Sequence, residues 1–283
     1  RQRQMCIRDR YINMEITQKF ILNILDPIKH TVKEASLAIM DVYESEHFNT
    51  EIKSDGSPVT EADKRANDII TESLRKITPD IPVVSEETYD PKEPNPNKPY
   101  WLVDPLDGTK GFINKDGNFT VNIALIQNTI PIFGIIEAPT TSKVWVGSFF
   151  DDITSKEEAR GALRIVMSKN HQTDIDKKFL ELLTSKNIEY NLVAKGSSLK
   201  LCALADNEAD IYPRFGPTSE WDIAAGHACL RQQGGSVCQM LSGNSLAYSK
   251  EESILNPAFV GFRNTYLKDR YLGLISEFYK KLV

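Results

Sequence analysis

The stretch Trp101-Leu-Val-Asp-Pro-Leu-Asp-Gly-Thr109 constrains this chain more than any other. Tyr100, Trp101, Leu102 and Val103 read as a buried strand that ends where Asp104 meets Pro105. Asp107 follows three residues later across a proline turn, and Gly108-Thr109 opens a short helix. Two carboxylates brought together this way repel one another unless a positive charge separates them. A hard divalent cation does that, and carboxylate plus backbone carbonyl oxygens, such as that of Leu106, suit Mg²⁺. The N–H groups of Gly108 and Thr109 would form an anion site beside the ion, so a phosphate bridging both is the natural ligand. Taken alone, an Asp-Pro-x-Asp-Gly segment is equally well explained as turn chemistry with a helix N-cap. It is not an EF-hand, because the alternating acidic ligands and terminal Glu are missing.

Around this stretch the pattern changes along the chain. Apolar residues recur at helical spacing from Ile16 to about Glu46, with a break or kink expected at Pro27. After the loop Ser54-Asp-Gly-Ser-Pro58, a second helix is expected from Thr60 to Ile77. A short strand follows at Pro79–Ser85, then a proline-rich surface loop from Pro91 to Pro99. Three β-rich runs between Phe119 and Phe149, broken at Asn128-Thr129 and at 140–143, form a meander and hence antiparallel sheet. Beyond about residue 160, short strands (163–168, 188–193, 209–212) alternate with helices (173–185, 198–207, 222–233), and a last amphipathic helix spans Thr265–Leu282. Two halves are expected: 14–160, α+β with the antiparallel sheet and acidic motifs, and 161–283, α/β with Asp222. Residues 1–13 hold four of the chain's twelve arginines, lack the apolar core of a signal peptide, and resemble translated adapter sequence; Met14 is the expected start.

Three further acidic features stand where ligands collect in α/β architectures, at strand ends and helix starts. Glu86-Glu87 ends the short strand, Trp221-Asp222 begins a helix, and Thr60-Glu-Ala-Asp63 fits a capping box. Each has an ordinary structural explanation; their company does not. Ser197, Lys200 and Arg214 can converge on one wall of a cleft, where a second phosphate would use two cations that an uncharged polyol ring would not.

Together, Glu86-Glu87, Asp104-Pro-Leu-Asp-Gly-Thr109 and Trp221-Asp-Ile-Ala-Ala-Gly226 resemble the lithium-sensitive, magnesium-dependent inositol monophosphatase-like superfamily, over about residues 30–262. The resemblance implies a layered αβαβα sandwich of α+β and α/β character. It also implies a first metal on Glu86, Asp104 and the Leu106 carbonyl, and a second on Asp104, Asp107 and Asp222. Thr109, hydrogen-bonded to Asp63, would orient and deprotonate the attacking water, with Glu87 behind the metal ligands. Two or three Mg²⁺ per site are implied, and Lys53 fits a mobile flap near a third. Gly196-Ser-Ser-Leu-Lys200, Tyr212-Pro-Arg-Phe-Gly-Pro217, Asp107-Gly-Thr-Lys-Gly-Phe112 and Gly226-His227 resemble, more narrowly, 3′(2′),5′-bisphosphate nucleotidases of the CysQ type. That implies removal of the 3′-phosphate of adenosine 3′,5′-bisphosphate, giving AMP and phosphate. Substrate contacts would come from Leu106, Asp107, Gly108, Thr109, Ser197, Lys200, Arg214 and Asp222. His171 is a further candidate near the nucleotide. Gly111 departs from the type, where an acidic residue is common. An inositol or sugar monophosphatase on the same scaffold, and a catalytically silent sensing module, remain the alternatives.

Composition narrows the partners. The 283 residues carry 34 basic and 39 acidic side chains, net −5, which argues against a nucleic-acid coat and is mildly unfavourable for a highly anionic ligand such as the small phosphorylated nucleotide expected as partner. Six of the acids are assigned to one cleft, so bound cations would invert the local sign. No apolar run reaches 18 residues, so no integral membrane segment is expected. Cys6, Cys202, Cys229 and Cys238 form no CxxC pair and read as free thiols of a reducing compartment. The expectation is a cytoplasmic enzyme; the resemblance also admits a peripheral place at the cytoplasmic face of the inner membrane. The sequence does not distinguish monomer from homodimer.

Overall fold

The structure is a computed structural model that describes residues 16–45, 49–52, 56, 58–90, 98–150, 161–168, 173–250 and 253–283. Residues 1–13, Lys53, His171 and most of the proline-rich loop fall outside the described residues.

Two helices form the first layer. Helix α1 (Gln18–Glu44) and helix α2 (Glu61–Ile77), capped by Thr60, bury one apolar stripe each, with Ile28, Val32, Ala35 and Ile39 on the first and Ala66, Ile70 and Leu74 on the second. The break expected at Pro27 does not occur: α1 runs through it. Pro27 and Asn23, four residues before it, lie on the exposed face, where water can satisfy the carbonyl that loses its helical partner. Burial of Ile24 and Ile28 on the other face holds the helix together. A two-stranded hairpin, β1 (Thr50–Ile52) and β2 (Pro58–Thr60), joins the helices.

The second layer is a five-stranded sheet ordered β3-β4-β5-β6-β7, from β3 (Val83–Ser85), β4 (Tyr100–Asp107), β5 (Thr120–Gln127), β6 (Ile130–Ala138) and β7 (Lys143–Ser148), with the short helix α3 (Thr109–Ile113) between β4 and β5. Only β3 and β4 are parallel. The meander read between Phe119 and Phe149 is present, and Asn128 and Thr129, with φ of 51° and 63°, make its two-residue turn. Strand alternation divides the side chains: Trp101, Val103, Ile123 and Leu125 pack under α1 and α2, while Tyr100, Leu102, Ala124 and Ile126 face the opposite way.

That opposite face is covered by a middle helical layer, α5 (Leu199–Ala205) and α6 (Glu220–Gln232). A second five-stranded sheet lies beyond it, ordered β11-β12-β10-β8-β9, from β8 (Leu163–Met167), β9 (Tyr190–Ala194), β10 (Ile211–Arg214), β11 (Ser236–Gln239) and β12 (Phe259–Phe262). Its outer face, carrying Ile165, Ile211, Val260 and Phe262, is closed by α4 (Asp174–Ser185) and α7 (Thr265–Lys280). The layers therefore run αβαβα, as expected.

Three readings need correction. The short strand expected over Pro79–Ser85 is only β3. Strand β4 does not stop at Asp104. Pro105 cannot donate to the ladder, so pairing skips to Asp107 opposite Thr120 through a bulge. β11 and β12 were not expected at all, since four residues each are too short to show a period. Among the described residues no helix is long and apolar enough to cross a membrane, and Cys202, Cys229 and Cys238 are free and buried.

Candidate active site

The bulge in β4 has a chemical consequence. It turns the strand end so that Asp104 and Asp107 emerge from either side of a proline, with the Leu106 carbonyl between them. Asp104 is 1% exposed, and its Oδ1 accepts the Leu106 amide at 3.1 Å. Parallel pairing of β3 with β4, Ser85 opposite Val103, delivers Glu86 and Glu87 to the same end of the sheet on a single 3₁₀ turn.

Two helix starts complete the acidic group. Asp63 is the third residue of α2: its Oδ2 accepts the Thr60 amide (2.7 Å) and hydroxyl (2.6 Å), and its Oδ1 accepts the Thr109 hydroxyl at 3.1 Å. The same hydroxyl lies 3.3 Å from the Leu106 carbonyl. Asp222, third in α6, accepts the Ser219 amide on Oδ2 at 2.9 Å.

These carboxylates feel one another. Burial, then the charges of Glu86, Asp107, Asp222 and Asp63, push Asp104 well above the usual carboxylate range. Burial and Asp107 do the same to Asp222, and burial raises Asp63 against the hydrogen bonds of Thr60 and Thr109. The donor set is all oxygen, which suits a hard divalent cation, and a cation is what such mutual repulsion calls for. Glu86, Asp104, Asp107, Asp222 and the Leu106 carbonyl are the groups available to hold one. Among the described residues no three ligating side chains already close around a point, so an ion would have to draw them in.

A pocket of about 370 Å³ opens beside this group, lined by Gly108, Lys110, Asp116, Ser197, Lys200 and Arg214 among others. Gly108 has φ of 97°, and a Cβ there would stand 2.6 Å from the Asn118 carbonyl oxygen. The departure at Gly111 has a similar cause, since a Cβ would meet Asp116 Oδ1 at 2.7 Å and Asn118 O at 2.9 Å. Lys200 and Arg214 share the pocket wall with Ser197, the convergence read from the sequence. Lys200 Nζ donates to the Ser197 carbonyl at 2.6 Å. Burial, reinforced by Arg214 and opposed by Asp107, brings its pKa down to about 8. Arg214 donates from Nη2 to Pro217 O at 3.1 Å, while its buried Nε has no hydrogen-bond partner among the described residues. His227, part of the sequence resemblance, is a core residue: its Nδ1 lies 3.0 Å from the Tyr248 hydroxyl, and burial drives its pKa to about 3.

Sequence reasoning missed Thr120, Asn122 and Ser198. Ser198 Oγ stands 2.8 Å from Asp107 Oδ2 and 2.8 Å from Asn122 Nδ2. The signal was present: two polar residues two apart in the apolar run Phe119-Thr-Val-Asn-Ile-Ala-Leu-Ile126 share one buried face of a strand.

Comparison with known proteins fits this geometry. The profile of the inositol monophosphatase family matches residues 23–277. The chain is 41% identical over 249 residues to the 3′(2′),5′-bisphosphate nucleotidase CysQ of Escherichia coli strain K12, covering 83% of this chain and 98% of the relative. It is likewise 41% identical over 251 residues to the Buchnera aphidicola protein of that description, covering 83% and 92%. The crystal structure of CysQ from Bacteroides thetaiotaomicron superposes with a TM-score of 0.72 at 34% identity, over 87% of this chain and 98% of that one. The Thermotoga maritima IMPase shares the fold at 22% identity, with a TM-score of 0.72 over 92% and 100%.

Proposed function

The chain belongs to the inositol monophosphatase family, and from that premise we propose that it is a metal-dependent phosphatase that removes the 3′-phosphate of adenosine 3′,5′-bisphosphate, giving AMP and phosphate. One observation carries the choice of substrate: two cationic side chains, the buried Lys200 and the half-buried Arg214, line the pocket that opens at Gly108. A substrate with a single phosphate would bring no anion to them, whereas a second phosphate supplies one. The nucleotidase relatives at 41% identity support the same reading. The inositol monophosphatases support the scaffold alone.

In this reading Glu86, Asp104, the Leu106 carbonyl, Asp107 and Asp222 hold Mg²⁺, two or three ions per site. Bound metal lowers the pKa of water and stabilises the charge of an in-line displacement. The chain supplies the rest. Thr109 Oγ1 takes a proton from the attacking water as it passes its own proton to Asp63 Oδ1, whose proton affinity burial has raised. Glu87 supports the ligands from behind. The amides of Gly108 and Thr109 hold the phosphate oxygens as charge develops, and Ser197, Lys200 and Arg214 fix the second phosphate.

Release of phosphate from adenosine 3′,5′-bisphosphate, adenosine 3′-monophosphate and inositol 1-phosphate, with and without Mg²⁺ and Li⁺, tests the reading. The bisphosphate should be turned over fastest, only with Mg²⁺, and less in Li⁺. Turnover of inositol 1-phosphate with none of the nucleotide would sink the substrate assignment. Thr109→Val removes the relay and keeps the shape. It should lower kcat by roughly a hundredfold or more with KM little changed, the size of a general-base contribution. A rise in KM at constant kcat would make Thr109 a binding residue instead.

A further inference from the structure

Thr120 and Asn122 stand two apart on β5, so both side chains leave the same face of the sheet. Each takes hold of one of two consecutive serines. Thr120 Oγ1 lies 2.8 Å from Ser197 Oγ, and Asn122 Nδ2 donates to Ser198 Oγ at 2.8 Å. Ser198 Oγ is 2.8 Å from Asp107 Oδ2 and also 2.8 Å from the Asp222 carbonyl oxygen. Asn122 Nδ2 lies 3.4 Å from the same Asp107 oxygen. Four elements therefore meet at one hydroxyl: the end of β4, the middle of β5, the start of α5 and the start of α6.

Two local sacrifices accompany this meeting. Ser198 is the N-cap of α5, where a serine hydroxyl ordinarily accepts a hydrogen bond from its own helix, yet its side chain makes no such bond. Asn122 Oδ1 is buried and has no hydrogen-bond partner among the described residues. Two broken local rules at adjacent positions, both beside Asp107, are the mark of a functional constraint.

We infer that Asn122 and Ser198 are positioning residues for Asp107. They tie this carboxylate to the start of the Asp222 helix and to the loop that carries Ser197 and Lys200. The inference rests on the reading of Asp107 and Asp222 as metal-binding groups. With Oδ2 of Asp107 held in the strut, Oδ1 is the oxygen left to face a cation. The strut also joins the metal end of the cleft to the second-phosphate end through one buried side chain.

Titration of the purified full chain with Mn²⁺, following free Mn²⁺ by electron paramagnetic resonance, tests this without any turnover. Ser198→Ala should weaken Mn²⁺ binding about tenfold, the low end of what partners of ligating carboxylates contribute. The metal-free melting temperature should stay close to that of the unaltered protein. Thr120→Val breaks the neighbouring bond to Ser197 without touching Asp107 and should leave Mn²⁺ affinity unchanged. Unaltered affinity in Ser198→Ala would overturn the strut, and so would an equal loss in Thr120→Val, which would reveal general anchoring of the loop. Failure of the unaltered protein to bind Mn²⁺ would overturn the metal reading itself and the strut with it.

Discussion

Asp104→Asn should lower kcat for adenosine 3′,5′-bisphosphate by about a thousandfold or more, roughly 4 kcal/mol of transition-state stabilisation. The change is isosteric and keeps an oxygen to accept the Leu106 amide, so the bulge has no reason to rearrange. It removes a buried carboxylate on which four other acids of the cleft press. Asp104 is buried, with Glu86, Asp107, Asp222 and Asp63 all raising its pKa. A second effect of opposite sign follows. Without metal, the variant should melt at a higher temperature than the unaltered protein, because a penalised charge is gone. With saturating Mg²⁺ the order should reverse, since only the unaltered protein gains from binding. Differential scanning calorimetry with and without Mg²⁺, beside a phosphate-release assay, reads both. Undiminished activity, or a metal-free melting point that falls, would remove Asp104 from the centre of the site.

Arg214→Ala should discriminate between substrates rather than abolish turnover. A hydrogen bond to a charged partner contributes about 1.5–3 kcal/mol, so kcat/KM for the bisphosphate should fall roughly 10- to 150-fold. For adenosine 3′-monophosphate, which has no second phosphate, the change should be small. Equal loss on both substrates would place Arg214 in structure, not in recognition. Lys200 gives the same test through pH. Its pKa is brought down to about 8, so the free enzyme loses this positive charge as pH rises through that value. KM for the bisphosphate should climb above that pH, and KM for the 3′-monophosphate should not.

How much of this could be read from the residues depended on the length of the signal. The meander between Phe119 and Phe149 was legible because its strands are long, apolar and separated by turn residues. β11 and β12 were not, because four residues carry no measurable period. Pro27 misled for a different reason. Local rules end a helix at proline, but here the orphaned carbonyl faces solvent and tertiary burial of Ile24 and Ile28 outweighs the lost bond. Among site residues, acids at strand ends and helix starts were visible by position. Ser198 and Asn122 were not singled out, since their meaning lies in a contact between residues 76 positions apart. Gly111 had seemed a departure without a reason until the space beside it proved to be filled by Asp116 and Asn118.

The double employment of two carboxylates bears on how relatives should be judged. Asp63 and Asp222 each give one oxygen to the backbone at a helix start. Selection for a well-formed helix would preserve both aspartates in a descendant that had lost all chemistry. Their survival in a distant sequence is therefore weak testimony that the enzyme still works. Asp104 stabilises no helix and is opposed by its neighbours, so neutral drift should erase it first once activity no longer matters. An inactive lineage of this fold should show its history there, at the bulge of the fourth strand, with both helix starts intact.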